Sequence, residues 1–272
     1  MKDKYFQLFL IVIAFSLFAN NIFAQGKYLN INVGYGLKMS TQNQYFFIFN
    51  NYTSENNSYT YEQVNISLGK GLNFGGSLGY MFNKNIGAEI GTSYLLGDKS
   101  KAKHIQYGKT TEYTLSSKMF RIIPSLVIAS CFEKINPYAK FGLVIGAGSI
   151  MYEYNEDGDT KTMKMELSGG MAFGLSSGVG VMLNRSDKMS FFGEINMVNL
   201  SYAPTKGKTT EAFYNEVNVL PYMTISEKEI EFVDSYTYNS SNAQTVLEPR
   251  KELKQKFPFG SFGVNVGLRI NL

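Results

Sequence analysis

The most regular feature of the chain is the alternation of apolar with small polar residues. The last stretch shows it most cleanly. Phe262, Val264, Val266, Leu268, Ile270 and Leu272 fall on one face, and Gly263, Asn265, Gly267, Arg269 and Asn271 on the other. Side chains of a strand point alternately to its two sides, so this pattern predicts a strand with one apolar and one polar face. Seven earlier stretches repeat it: "YLNINVGYGLKM" from Tyr28, "LNFGGSLGYMF" from Leu72, "IGAEIGTSYLL" from Ile86, "FRIIPSLVIASCF" from Phe120, "YAKFGLVIGAGS" from Tyr138, "AFGLSSGVGVML" from Ala172 and "FFGEINMVNL" from Phe191. The fourth is the least regular, because Ile123 and Val127 fall on its polar face.

The connections alternate as well. Short polar links at Asn83–Asn85, Glu133–Asn136 and Asn184–Lys188 join strands 2–3, 4–5 and 6–7. Long polar links cover about Ser40–Gly71, Gly97–Lys118, Tyr152–Gly170 and Ser201–Gly260. A meander of eight strands puts both ends on the short-turn side. Short turns on one side, long loops on the other and strands of about ten residues are the pattern of a barrel that crosses an outer membrane. The expected fold is therefore all-β, an eight-stranded antiparallel up-and-down transmembrane β-barrel. A soluble barrel or sandwich would turn the apolar face inward and set charges on the other face, toward water. Here that face is mostly Gly, Ser and Asn, and the charges gather in the loops. Lipid leaves no unpaired backbone group unpenalised, so the last strand has to close on the first. The last loop leaves a ten-strand alternative open: "VNVLPYMTI" and "IEFVDSYTY" read as a protruding hairpin or as two further crossings. Pro221 and Asp234 weigh against crossing.

Composition adds a compartment and removes several function classes. The chain of 272 residues opens "MKDKYFQLFLIVIAFSLFANNIFAQG". A short basic start, an apolar run from Tyr5 to Ala19 and a small-residue site at Ala24 form the layout of a secretory signal peptide. The expected domains are a leader at 1–24 and one barrel domain at 25–272. Cys131 is the single cysteine, which excludes an internal disulfide, and no cysteine follows Ala24 to carry a lipid anchor there. The net charge of +4 is mild and no basic run stands out, so no nucleic-acid partner is expected. Glycine (26), tyrosine (19) and phenylalanine (21) are abundant, as tight strand packing requires.

The leader, the eight alternating strands and the closing "GVNVGLRINL" resemble the small OmpA/OmpX-type outer-membrane β-barrel family of Gram-negative bacteria. The resemblance covers the whole mature chain. It implies the outer membrane as location, with long loops extracellular and both mature termini periplasmic. It also implies lipid and lipopolysaccharide as surroundings, and the barrel-assembly machinery as a partner in biogenesis. Members usually end in an aromatic residue that this machinery is thought to read, whereas here the end is Leu272. No peptidoglycan-binding domain is expected after the barrel, so cell-wall anchoring is not implied. The resemblance implies a non-enzymatic protein with an envelope-structural role, or one that binds an unidentified surface ligand through its long loops. A narrow pore for small solutes or ions, or an accessory barrel of a secretion or assembly machine, are the alternatives.

Few residues offer chemistry. The polar face carries Glu89, Lys140, Glu194 and Arg269, each three to five residues from the short-turn end of its strand. Tilted strands set all four within roughly 15 Å of that end. An ion-pair cluster filling the lumen is expected, with Arg121 higher up and able to join from above. Its role is neutralisation of buried charge, or a gate. Eight strands enclose an interior that side chains fill, which speaks against a general porin. His104 is the only histidine, in the second long loop and expected to be exposed, so neither a metal site nor a Ser-His-Asp set can be assembled around it. No cofactor is expected. Glu156, Asp157 and Asp159 lack the spacing of a calcium loop. The aromatic first loop, "NQYFFIFNNYTSENNSYTYEQ", suits recognition, or packs on itself.

Overall fold

The computed structural model describes residues 26–39, 50–55, 58–130, 132, 134–156, 161–237 and 245–272. The expected leader, the aromatic run at 40–49, Cys131, Asp157 and Asp159 lie outside these residues. Eight strands make the barrel: β1 (Lys27–Lys38), β2 (Gly71–Met81), β3 (Ile86–Gly97), β4 (Lys109–Ala129), β5 (Ile135–Glu156), β6 (Ala172–Asn184), β7 (Met189–Tyr202) and β8 (Ser261–Asn271). Each pairs antiparallel with its chain neighbour. The ring closes where β8 pairs β1, with Tyr28 opposite Asn271 and Lys38 opposite Ser261. Closure removes the edge that lipid would penalise.

The faces fall as the alternation predicts. Ile31, Leu78, Ile90, Phe141, Phe173 and Val266 point outward and are all more than 50% exposed. Together with their neighbours they form an apolar belt around the whole barrel, far beyond the few hundred Å² that soluble monomers expose. Along the lipid belt the inward face of the described strands is mainly small and polar, not the apolar core that a soluble barrel needs. Pro124 sits inside β4 without an N–H to give, and the β4–β5 ladder skips Ile123 and Pro124 but resumes in the same register at Ser125–Gly142. Ile123 and Val127 break the alternation because they serve the lumen: Ile123 lines its cavity and Val127 is buried at its base.

Above the lipid belt the sheet continues. β4 and β5 are 21 and 22 residues long, about twice what a crossing needs, so the expected loops Gly97–Lys118 and Tyr152–Gly170 are largely strand. Strand Ser100–Gln106 pairs β4, and strand Lys161–Ser168 pairs β5. The hairpin Asn50–Glu55/Ser58–Gln63 adds to one side in parallel, with Tyr52 opposite His104. On the other side come Lys206–Tyr214, Glu229–Val233 and the parallel strand Arg250–Leu253.

The last loop therefore corrects both earlier readings. Among the described residues, neither a hairpin between "VNVLPYMTI" and "IEFVDSYTY" nor two more crossings form. Pro221 lies in a one-turn 3-10 helix, Leu220–Tyr222, and "ISEK" forms a short helix, Ile225–Lys228. Glu227 accepts a hydrogen bond from the Thr224 backbone N–H at 2.7 Å, which caps that helix.

Candidate functional site

The interior is built in three layers. At the loop end, Leu68, Leu95, Met119, Val144, Leu200 and Phe259 belong to one fully buried apolar cluster. Loop residues enter it because the backbone holds them there. The Leu68 N–H donates to Pro258 O at 2.9 Å, the Phe259 N–H donates to Leu200 O at 2.9 Å, and Ser117 Oγ donates to Leu68 O at 2.7 Å. At the short-turn end, Tyr138, Met182 and Phe192 form a second buried cluster, beside buried Tyr28. Each tyrosine lies over a glycine: a Cβ on Gly79 would fall 2.0 Å from the Tyr28 ring, and one on Gly180 would fall 2.6 Å from the Tyr138 ring. Between the layers lies a polar cavity of about 100 Å³, lined by Asn, Ser, Gly and the interior charges.

The ion cluster stands at the base of this cavity, held by register. Glu89 is opposite Ser125 on β4, Lys140 is opposite Val127 on β4 and Gly178 on β6, and Glu194 is opposite Gly180 on β6 and Asn265 on β8. Lys140 Nζ lies 3.1 Å from Glu89 Oε1 and 3.3 Å from Glu194 Oε2. All three side chains are nearly buried, at 15% (Lys140), 6% (Glu89) and 8% (Glu194) exposure. Burying such a set is tolerable only if the remaining lone pairs find donors. They do. Glu89 Oε2 accepts from Tyr28 OH at 3.1 Å and from Asn30 Nδ2 at 2.9 Å. Glu194 accepts from Tyr138 OH at 3.1 Å and from Asn265 Nδ2 at 3.3 Å. The Lys140 ammonium also sits 5.3 Å from the Tyr138 ring centre, within cation–π range.

The other two candidates are placed differently from expectation. Arg269 does not pair a carboxylate among the described residues. Its Nε donates to Asn30 Oδ1 at 2.9 Å and its guanidinium stacks 3.6 Å from the Tyr28 ring centre, so Asn30 and Tyr28 relay it to Glu89. Arg121 does not join the cluster from above. It pairs with Ser93 on β3, four residues beyond Glu89 and hence about 13 Å along the strand. There its Nε donates to Ser93 Oγ at 3.1 Å and its other end to Asn73 Oδ1. Tyr28, Asn30, Tyr138 and Phe192 were not singled out in the sequence. The available signal was parity: each shares the polar-face register with Glu89, Lys140 or Glu194, and an aromatic there can only point into the lumen.

This arrangement neutralises buried charge and ties β1, β3, β5, β7 and β8 together.

On the loop side, His104 departs from its expected exposure. It is half-buried, with Nε2 3.0 Å from Asn50 Oδ1, and its ring meets Tyr52 at 5.6 Å and Tyr113 at 4.8 Å between centres. The contacts continue from Tyr113 to Tyr154 and from Tyr52 to Tyr61. Burial holds the His104 pKa below its usual value of 6.5, against the Asn50 contact, which raises it. The described part of the first loop thus packs against the second, and Tyr59 and Tyr61 remain exposed at its tip. Glu156 accepts from Tyr154 OH at 2.6 Å. Among the described residues no group of three His, Cys, Asp or Glu side chains is placed to hold a metal.

The model of the outer membrane protein beta-barrel domain family matches residues 10–219. Among solved structures, the chain is similar to a major outer membrane protein from Thermus thermophilus. That likeness has 8% identity and a TM-score of 0.44, and covers 90% of this chain and 99% of that one. It is also similar to Ail, the attachment invasion locus protein of Yersinia pestis, at 10% identity and a TM-score of 0.29, covering 90% of this chain and 99% of that one. A comparison with curated proteins gives no match. The family match spans most of the chain, including seven of the eight barrel strands. The chain belongs to the outer membrane protein beta-barrel domain family, and its closed antiparallel barrel is one of the outer membrane.

Proposed function

We propose that this is a non-conducting, non-enzymatic barrel that serves the envelope from its loop side, as a structural element or a surface binder. The observation that carries the reading is the three-layered interior. The apolar cluster at Leu68 and Phe259 and the aromatic floor at Tyr28, Tyr138 and Phe192 lie on either side of the Glu89–Lys140–Glu194 triad, which supports a closed interior. In this reading the long-loop side faces the exterior and the short turns and both mature termini face the periplasm, as the barrel pattern implies. Lipid and lipopolysaccharide surround the belt, and the barrel-assembly machinery inserts it. The extended sheet outside the lipid then supplies the working surface, where Tyr59, Tyr61 and Tyr107 are exposed beside Lys101 and Lys103. Rings with polar tips suit contact with a polar partner.

Planar-bilayer recording of the purified, refolded protein tests the closed interior. The expected trace is flat in molar salt. Steady single-channel openings would contradict the reading and favour the narrow pore.

A further inference from the structure

We propose that the lumen binds a small inorganic anion of halide size at Arg121. Three cations and two carboxylates face the described interior: Arg121, Lys140 and Arg269 against Glu89 and Glu194. Lys140 takes both carboxylates. Arg269 is stacked on the Tyr28 ring and tied through Asn30 to Glu89. Arg121 alone is left over. It is 3% exposed, and no carboxylate among the described residues comes within ion-pair distance of it. A guanidinium stays protonated in proteins, so burial cannot discharge it. Its charge needs a counter-charge in the lumen.

The surroundings are built for an anion rather than a cation. Two of the five N–H donors of Arg121 are taken, by Ser93 Oγ and Asn73 Oδ1, and the guanidinium also lines the central cavity. Because Ser93 Oγ accepts from Arg121, its own O–H is free to turn toward the same space. Asn32 brings an amide from β1 to that cavity. The cavity of about 100 Å³ is several times the space one water needs, so it holds an ion with a partial water shell. The apolar layer above and the aromatic floor below exclude a larger organic anion.

The test uses the full mature chain refolded in detergent in potassium chloride, potassium bromide or potassium gluconate at equal ionic strength. Crystals grown in bromide should show anomalous density within hydrogen-bonding reach of the Arg121 guanidinium. The unfolding midpoint should be a few degrees higher in chloride or bromide than in gluconate, because a ligand that binds only the folded barrel stabilises it. Arg121→Met should erase that difference. Ser93→Ala, which keeps the charge, should shrink it and guards against a methionine variant that does not refold. Equal midpoints in all three salts, or bromide density only elsewhere on the protein, would overturn the proposal. So would the full salt difference persisting in the variants that refold.

Discussion

Lys140→Met tests the interior most severely. The methionine has a similar length but no charge, so the change removes the cation standing 3.1 Å from Glu89 and 3.3 Å from Glu194. Two buried carboxylates then face each other across an apolar side chain. Breaking a buried pair by deleting one partner costs about 3–5 kcal/mol, because the remaining charge is uncompensated. For a barrel of this size each kcal/mol moves the midpoint by about 2–4 °C. The expected fall is therefore about 6–20 °C. It is read as the temperature at which the compact band on an SDS gel is lost, with a urea titration as a second measure. The loss has a signature that simple mispacking lacks. Adding Glu89→Gln to Lys140→Met leaves a single carboxylate, Glu194, which keeps Tyr138 and Asn265 as donors. The double variant should recover a large part of the loss, with a coupling of more than about 1 kcal/mol. A single variant within about 0.5 kcal/mol of the parent, or a double variant worse than the single, would refute the electrostatic reading of the triad.

Glu194→Gln should cost less, about 1–2 kcal/mol, because Lys140 retains Glu89 and the new amide oxygen can still accept from Tyr138; chemical denaturation reads it, and an unchanged midpoint would remove Glu194 from the cluster. His104 predicts a pH effect confined to the loop side. Its folded pKa is depressed, so the unfolded strand takes up the proton first, and stability that is complete above pH 6.5 is lost as pH falls from 6.5 toward the folded value. Hydrogen exchange of Ser100–Gln106 should accelerate below pH 6.5 in the parent and not in His104→Gln. Gly79→Val should drive a side chain into the Tyr28 ring and destabilise the barrel by about 1–3 kcal/mol, whereas Gly193→Val, where a Cβ meets open space, should not; thermal melts of the two compare them directly.

The part of the fold set by lipid was legible in the sequence, because lipid enforces a strict period of two. Val264, Val266 and Leu268 have to face out, and Asn265 and Arg269 have to face in. Above the lipid that pressure stops. "KTTEYTLSSK" carries a single aliphatic residue, Leu115, among polar ones, so it reads as loop although it forms the upper half of β4. The last loop misled for the opposite reason. "IEFVDSYTY" alternates well, but Ile230 and Phe232 turn toward the apolar plug and not toward lipid, and periodicity cannot tell those destinations apart.

The triad was legible because Glu89, Lys140 and Glu194 stand at matching depths from the short turns. The partners of the two arginines were not. Strand offsets put Arg121 one level above the carboxylates, and the stack of Arg269 on Tyr28 depends on the space left by Gly79. Register across three strands decides both, and no single stretch of sequence contains it.

The central claim is a closed barrel in the outer membrane, and the proposed function sets its extended sheet outside the cell. Protease treatment of intact cells, followed by SDS gels of the outer-membrane fraction with and without boiling, tests it directly. The account predicts a compact band that shifts on boiling, with cleavage confined to the exterior segments at Ser40–Gly71, Gly97–Lys118, Tyr152–Gly170 and Ser201–Gly260 and none at the short turns near Asn83–Asn85 or Asn184–Lys188. No shift on boiling, or cleavage at the short turns of intact cells, would contradict it.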